Sequence, residues 1–338
     1  MNKQSCFGAV IAAFALTGPA VAAEITLRVA DSLPIGHYAS EYMLKPFMEH
    51  VEKATNGKVA FEYFPAQQLG KAKDMFSLTQ TGVTDIGYVA TSYVSDKMPL
   101  SSVGELPESF TTSCEGSMAF YQIARPGGPL AEAEWAPNGV RLLTVLIPAP
   151  YQLFAAKEIS GLKSIEGMKI RSTGGAKEIA INKLGGVPVQ MAAPEAREAL
   201  SRGTVDAIVF PNSSILPYDL PPHLKSATAG ANFGSAVLTY MISEKKWNEL
   251  PEDVRAAMDE ASLIGTKAGC EAGDRLNVED AKTIAEQGVE YVTLPEADGA
   301  KLAEMMAEVS AEWAAQQDGF GRPGTAILEA FRAALKAR

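Results

Sequence analysis

Cysteine and histidine are scarce, three of each in 338 residues. No Cys-x-x-Cys pair and no metal-type spacing occurs, so a disulfide scaffold and a zinc-built fold are both excluded, and neither a cofactor nor a metal is assigned. Also missing are G-x-G-x-x-G after a strand, G-x-x-x-x-G-K-[ST], G-x-S-x-G and H-E-x-x-H. Their absence removes the standard signatures of dinucleotide binding, phosphate cradling, serine hydrolysis and zinc proteolysis. Basic charge is in deficit, with 30 Lys and Arg against 40 Asp and Glu, a net −10. A nucleic-acid binder leans the other way, so no nucleic-acid partner is expected. Nowhere beyond the N-terminus is there an apolar run long enough to span a bilayer.

The first 23 residues, MNKQSCFGAVIAAFALTGPAVAA, have the layout of a secretory signal. Lys3 precedes an apolar run from Phe7 to Leu16, Gly18-Pro19 breaks it, and the small residues Ala20, Ala22 and Ala23 follow, with cleavage expected near Ala22 or Ala23. The periplasm is the expected location. Losing Lys3 leaves 29 basic against 40 acidic side chains, a net −11, and losing Cys6 leaves Cys114 and Cys270. In an oxidising compartment these two either form one bridge or remain buried thiols, and both readings stand.

A chain of this length exceeds what one core fills, so two domains are expected. Strand-like alternation at 25–34, helical spacing at 39–55 and a return to strand at 56–64 make an opening β-α-β unit. The pattern repeats through a helix near 71–81, a strand at 84–90, a helix at 114–123 and a strand at 139–147. PAPY at 148–151 stiffens a crossing into a second alternation: YQLFAA, MKIRS, a helix at 176–184, VPVQ, a helix at PEAREALSRG, VDAIVF and LKSAT. AVLTYMIS at 236–243 reads as a returning strand, and 251–288 as one long helix that Gly265, Gly269 and Gly273 would soften. A short strand and helices near 296–317 and 323–336 close the chain. The expected fold class is α/β: two domains with mixed sheets, crossing hinge strands and a long domain-spanning helix. The expected domains are 24–148 plus 237–276, and 149–236 plus 277–338.

Little here resembles catalytic machinery. His37, His50 and His223 are far apart and read as surface or turn residues. Glu195, Arg197 and Glu198 share a helix and read as a solvated face. The stretch GMKIRSTGG, 167–175, is different, because Arg171 ends a strand and is followed by Ser172, Thr173 and two glycines before a helix. A guanidinium there can make two parallel hydrogen bonds to a carboxylate, with the helix N-terminus adding favourable potential. From the residues alone, an exposed ion-pairing arginine explains the position as well.

The chain resembles the substrate-binding proteins of tripartite ATP-independent periplasmic (TRAP) transporters. GKVAFEYFPAQQLG (57–70), LTQTGVTDIGYVA (78–90), SIEGMKIR (164–171), LGGVPVQMAAPEAREALSRGTVDAI (184–208) and WNELPEDVRAAM (247–258) follow that family's segments in order and spacing. The resemblance implies that Arg171 pairs with a ligand carboxylate, that domain closure around the ligand is the working motion, and that the closed form docks on a TRAP-type permease. It also implies what has changed. Relatives that bind sialic acid carry a second arginine where this chain has Tyr151, an asparagine where it has Phe210, and often a phenylalanine where it has Ala193. An apolar or aromatic monocarboxylate is therefore the expected ligand.

Asn212 is expected to supply a polar contact, although turn chemistry explains it equally. Tyr88 and Thr91 at a strand end, His37 and Tyr38 in the first strand-to-helix loop, and Phe233 near the return crossing complete the candidate ligand-binding set. The protein is expected to be a monomer and not an enzyme. An exported enzyme acting on an organic acid and a sensory ligand-binding protein are the alternatives.

Overall fold

The structure, a computed structural model, describes residues 23–108 and 110–337, so the expected export signal lies outside the described residues apart from Ala23. Its strands are β1 (Ile25–Ala30), β2 (Val59–Phe64), β3 (Ile86–Ala90), β4 (Val140–Leu146), β5 (Gln152–Ala155), β6 (Lys169–Ser172), β7 (Val187–Gln190), β8 (Ala207–Phe210), β9 (Ser226–Thr228), β10 (Leu238–Ser243) and β11 (Glu290–Val292). The helices are α1 (Lys45–Ala54), α2 (Met75–Thr81), α3 (Ser113–Ala124), α4 (Ala176–Lys183), α5 (Ala196–Ser201), α6 (Asn212–Ile215), α7 (Glu244–Glu249), α8 (Glu252–Glu286), α9 (Glu296–Gly319) and α10 (Gly324–Lys336).

Two mixed sheets result, ordered β2-β1-β3-β10-β4 and β11-β9-β5-β8-β6-β7. β10 returns from the second half of the chain and inserts antiparallel between β3 and β4, so the halves are joined by two crossing segments. The two-domain α/β fold expected from the alternation is present. In the second sheet β6 lies parallel between β7 and β8, and after the exposed Lys169 its residues are buried. Arg171 occupies this strand. Among the described residues no helix is long and apolar enough to cross a membrane.

α8 runs 35 residues without interruption, about 50 Å at 1.5 Å per residue. Its glycines do not soften it. A Cβ at Gly265 would meet the Met43 carbonyl oxygen at 2.6 Å, one at Gly269 the Met43 Cβ at 2.7 Å, and one at Gly273 the Ser113 Oγ at 3.0 Å. They let α8 pack closely on the segment entering α1 and on α3. There Cys270 is bridged to Cys114, which resolves the open question about the two cysteines. Asp274, one turn further on, accepts the backbone N–H groups of Ser113 and Cys114 and so caps the positive end of α3. α8 also packs against α6 of the second half, where Asn212 Nδ2 donates to the Asn277 carbonyl at 3.1 Å.

The last two helices, which pack on each other, touch both halves. α9 packs against α4, but α10 returns to α3, where Arg332 makes two 2.8 Å hydrogen bonds to the Glu108 carboxylate and Phe331 packs against Phe110. The amphipathic pattern of 324–336 marks a helix with one apolar face without saying which half receives it.

A buried ion pair also joins the halves. Lys177 Nζ, in the first turn of α4, lies 3.1 Å from Glu105 Oε2, in the short turn Leu100–Glu105, with side chains 1% and 0% exposed. Burial pushes the Glu105 carboxyl up and the Lys177 ammonium down, while each partner opposes the shift. A pair like this adds little net stability, but losing one member strands a charge.

Two outcomes are expected. Lys177→Met should destabilise the protein by about 3–5 kcal/mol, and adding Glu105→Leu should recover most of that loss, both read by urea denaturation. Replacing both bridged cysteines, whose loop spans a separation of 156, should cost about 3–5 kcal/mol with the native circular dichroism spectrum retained.

Candidate functional site

β6 carries Arg171 into the interior, where it is paired in register with Val189 on β7 and Ile208 on β8. Its exposure is 0%, so the exposed ion-pairing reading fails. Nε donates to the Met191 carbonyl at 3.2 Å and the guanidinium carbon lies 4.8 Å from the Phe210 ring centroid, which fixes the plane of the fork. Nη1 and Nη2 are buried with no protein partner. Two parallel donors on a desolvated cation are the geometry that a carboxylate satisfies.

Arg171 lines a small, partly open cavity of about 20 Å³ at the junction of the two halves. Its walls are largely aromatic, with Tyr88, Tyr93, Tyr151, Phe210, Tyr218 and His37 contributing rings. Phe210 is central: its centroid lies 6.1 Å from that of Tyr151 and 5.7 Å from that of Tyr218, the latter edge to face. Burial pushes the phenols of Tyr88, Tyr151 and Tyr218 well above their usual value, so they remain neutral.

His37 corrects the surface expectation. It is 1% exposed, stacks on Tyr38 at 4.8 Å and meets the Tyr218 edge at 5.8 Å. Burial lowers its pKa to about 3, so it is neutral at physiological pH. Its Nδ1 accepts the Ala39 N–H at 3.2 Å, which puts the ring proton on Nε2. Arg171 is therefore the one charged side chain among the described residues lining the cavity.

Of the nine candidates, Arg171, Tyr151, Phe210, Tyr88 and His37 are brought together and four are not. Asn212 faces α8 and β11, donating to Asn277 and accepting from the Tyr291 hydroxyl at 2.9 Å. Its place is structural because it follows the strand that carries Phe210 by two residues, across the Pro211 turn. Tyr38 packs beneath α8 near Gly273, Thr91 is buried with its N–H on the Val237 carbonyl, and Phe233 is buried behind Tyr151, whose carbonyl accepts its N–H.

The cavity also includes residues that sequence reasoning missed. Thr173 follows Arg171 by two residues and so shares its side of the chain, a spacing that was available as a signal; its Oγ1 is buried without a partner. Tyr93 and Tyr218 come from short irregular segments, where no periodicity points inward. Two more open clefts lie across the crossing segment, lined by Pro150 and Gln152 on one side of Tyr151 and by Leu302 and Met306 beyond them. Neither has a charged side chain among its described lining residues, so neither offers an anion a counter-charge.

Comparison with known proteins agrees with this architecture. The family model of the bacterial extracellular solute-binding proteins, family 7, matches residues 30–317. The C4-dicarboxylate-binding periplasmic protein DctP of Rhodobacter capsulatus is 30% identical over 275 residues, 77% of each chain. A marine-metagenome TRAP solute-binding protein specific for aromatic acid ligands, crystallised with 3-hydroxybenzoate, is similar with a TM-score of 0.84 at 21% identity, covering 93% of this chain and 99% of that one. A TRAP periplasmic solute-binding protein of Bordetella bronchiseptica with bound (R)- and (S)-mandelate gives 0.83 at 24% identity, over 92% and 98%. With the fold, the spacing of its segments and the family match in agreement, the chain belongs to family 7 of the bacterial extracellular solute-binding proteins, the substrate-binding proteins of TRAP transporters.

Proposed function

We propose that this protein captures an organic monocarboxylate with an aromatic or apolar body and delivers it to a TRAP-type permease. The observation that carries the reading is the buried Arg171 fork, with both terminal nitrogens unpartnered, opening on a cavity walled by rings. The acid's carboxylate takes Nη1 and Nη2, and its body lies against Phe210, Tyr151 and Tyr218. With one cation among the lining residues, a monoanion neutralises the site, whereas a second carboxylate would be desolvated among phenols without a counter-charge. The aromatic-acid-binding and mandelate-binding relatives support this ligand class, and the dicarboxylate-binding relative makes the charge count the point to test.

Binding in this reading draws the second half of the molecule over the first, and the closed monomer docks on the permease. Arg171 and Phe210 belong to one half, Tyr88 and His37 to the other, so the ligand touches both. Closure opposes part of the contact energy, and a dissociation constant of about micromolar order, near −8 kcal/mol, follows for such a site. The first 23 residues serve as the export signal, and the bound acid leaves chemically unchanged.

The deciding experiment is thermal unfolding of the mature protein with benzoate, mandelate, an aliphatic monocarboxylate, succinate and a sugar acid. At a hundred times its dissociation constant, a ligand of the folded state stabilises it by about 2.7 kcal/mol. Benzoate or mandelate should give the largest shift, and a response to succinate or the sugar acid alone would overturn the monocarboxylate reading.

Arg171→Ala should weaken the best acid by about 100-fold or more in calorimetry while the protein stays folded, and Arg171→Lys should restore little, because a point charge does not reproduce the fork. Phe210→Leu keeps apolar volume but removes the ring face. It should weaken an aromatic acid severalfold more than an aliphatic one.

A further inference from the structure

We infer that Tyr93 is a specificity-determining contact that donates its hydroxyl proton to the carboxylate held by Arg171 and, through the same oxygen, ties that anion to the opposite half of the molecule. The inference rests on the proposed function. Tyr93 lies in the turn Thr91–Val94 that follows β3, and its side chain lines the cavity. Its hydroxyl oxygen accepts the Ala193 backbone N–H at 2.8 Å. Ala193 is on the other half, beyond β7, two residues after Met191, whose carbonyl holds Arg171 Nε at 3.2 Å.

One short segment, 191–193, is therefore gripped by Arg171 at one end and by Tyr93 at the other. The grip uses Nε of the arginine and a lone pair of the phenol. What remains is Nη1 and Nη2 on one side and the phenol proton on the other. Among the described residues, none accepts a hydrogen bond from Tyr93. All three donors belong to residues lining the same cavity, and a carboxylate has enough lone pairs for the fork and a third donor together.

The chemistry couples the sites. A phenol that donates to an anion becomes a stronger acceptor, so the acid strengthens the Tyr93 to Ala193 bond that spans the halves. The same turn touches the second half again at Ser92, whose carbonyl oxygen would lie 3.4 Å from a Cβ at Gly174 in the β6–α4 turn. Specificity follows from proton count. A ligand whose polar head is itself a donor, such as an amide nitrogen, meets three donors and gains nothing from Tyr93.

The test compares the mature wild-type protein with Tyr93→Phe, using benzoate, mandelate and phenylacetate as probes in calorimetry and stopped-flow binding. Tyr93→Phe should bind the best probe about 10- to 100-fold more weakly, with most of the change in the dissociation rate. Its ligand-free melting temperature should fall only slightly, by no more than the loss of the one Tyr93–Ala193 hydrogen bond explains, and its acid-induced drop in radius of gyration by solution scattering should be smaller. Affinity within twofold of wild type, or a loss of ligand-free stability that accounts for the weaker binding, would overturn the inference while leaving the proposed function standing. If no probe binds the wild type, the proposed function and this inference fall together.

Discussion

A guanidinium held at zero exposure with two unpaired nitrogens is the constraint around which the rest of the molecule is arranged. Taking such a charge out of water costs several kcal/mol, and two features offset part of that here, the Met191 carbonyl on Nε and the face of Phe210. Neither uses the fork. The arginine's backbone is fixed by parallel neighbours on both sides, and its side chain is held by the Met191 carbonyl and the Phe210 ring. Rigidity of this kind pre-orders the donors and lowers the entropy lost when an anion arrives.

Several of the contacts that join the halves lie near this charge. The crossing segment places Tyr151 against Phe210, the Lys177–Glu105 pair sits one helical turn beyond the β6–α4 glycines, and the Lys177 ammonium lies 5.3 Å from the Tyr151 ring centroid. Gly174 and Gly175, at φ 94° and 62°, hold a left-handed backbone that favours glycine, and a Cβ at Gly174 would meet Gln190 Nε2 at 2.4 Å and one at Gly175 Ser102 Oγ at 2.9 Å. On the far side, α8 is pinned to α3 by the disulfide and Asp274 while still reaching α6, so one rigid rod contacts both halves.

How much of this was legible varies with the kind of signal. Strands and helices followed from period 2 and period 3.6, and the strands alternate with helices in the order read from the chain. Arg171 was legible as a strand-end cation before two glycines, and the resemblance gave it a role. His37 was misjudged as a surface residue because a loop histidine shows no sign of burial until Tyr38 and Tyr218 pack against it. The α8 glycines were misread for a related reason: propensity says what an isolated helix loses, whereas here the missing Cβ atoms make room for Met43 and Ser113. Asn212 was misplaced because the Pro211 turn redirects the chain after Phe210, and sequence distance says nothing about that change of direction. Tyr93 carried no periodic signal, since its partner Ala193 lies a hundred residues away.

The net charge sharpens what the site must do. At −10 the molecule as a whole repels anions, so under the proposed function long-range steering would not bring an acid to the cleft, and at physiological salt the field beyond about 8 Å is screened in any case. Recognition has to be short-ranged. A single buried cation in a low-dielectric pocket acts strongly over a few ångströms and weakly beyond them, and neutral phenols raised by burial do not compete with it for charge. Polyanions, which a strongly basic cleft would also attract, gain nothing from such a design. In the proposed reading Tyr151 and Phe210 belong to the same logic as Arg171: each ring lowers the local dielectric around that charge and so would strengthen its ionic contact with a bound acid.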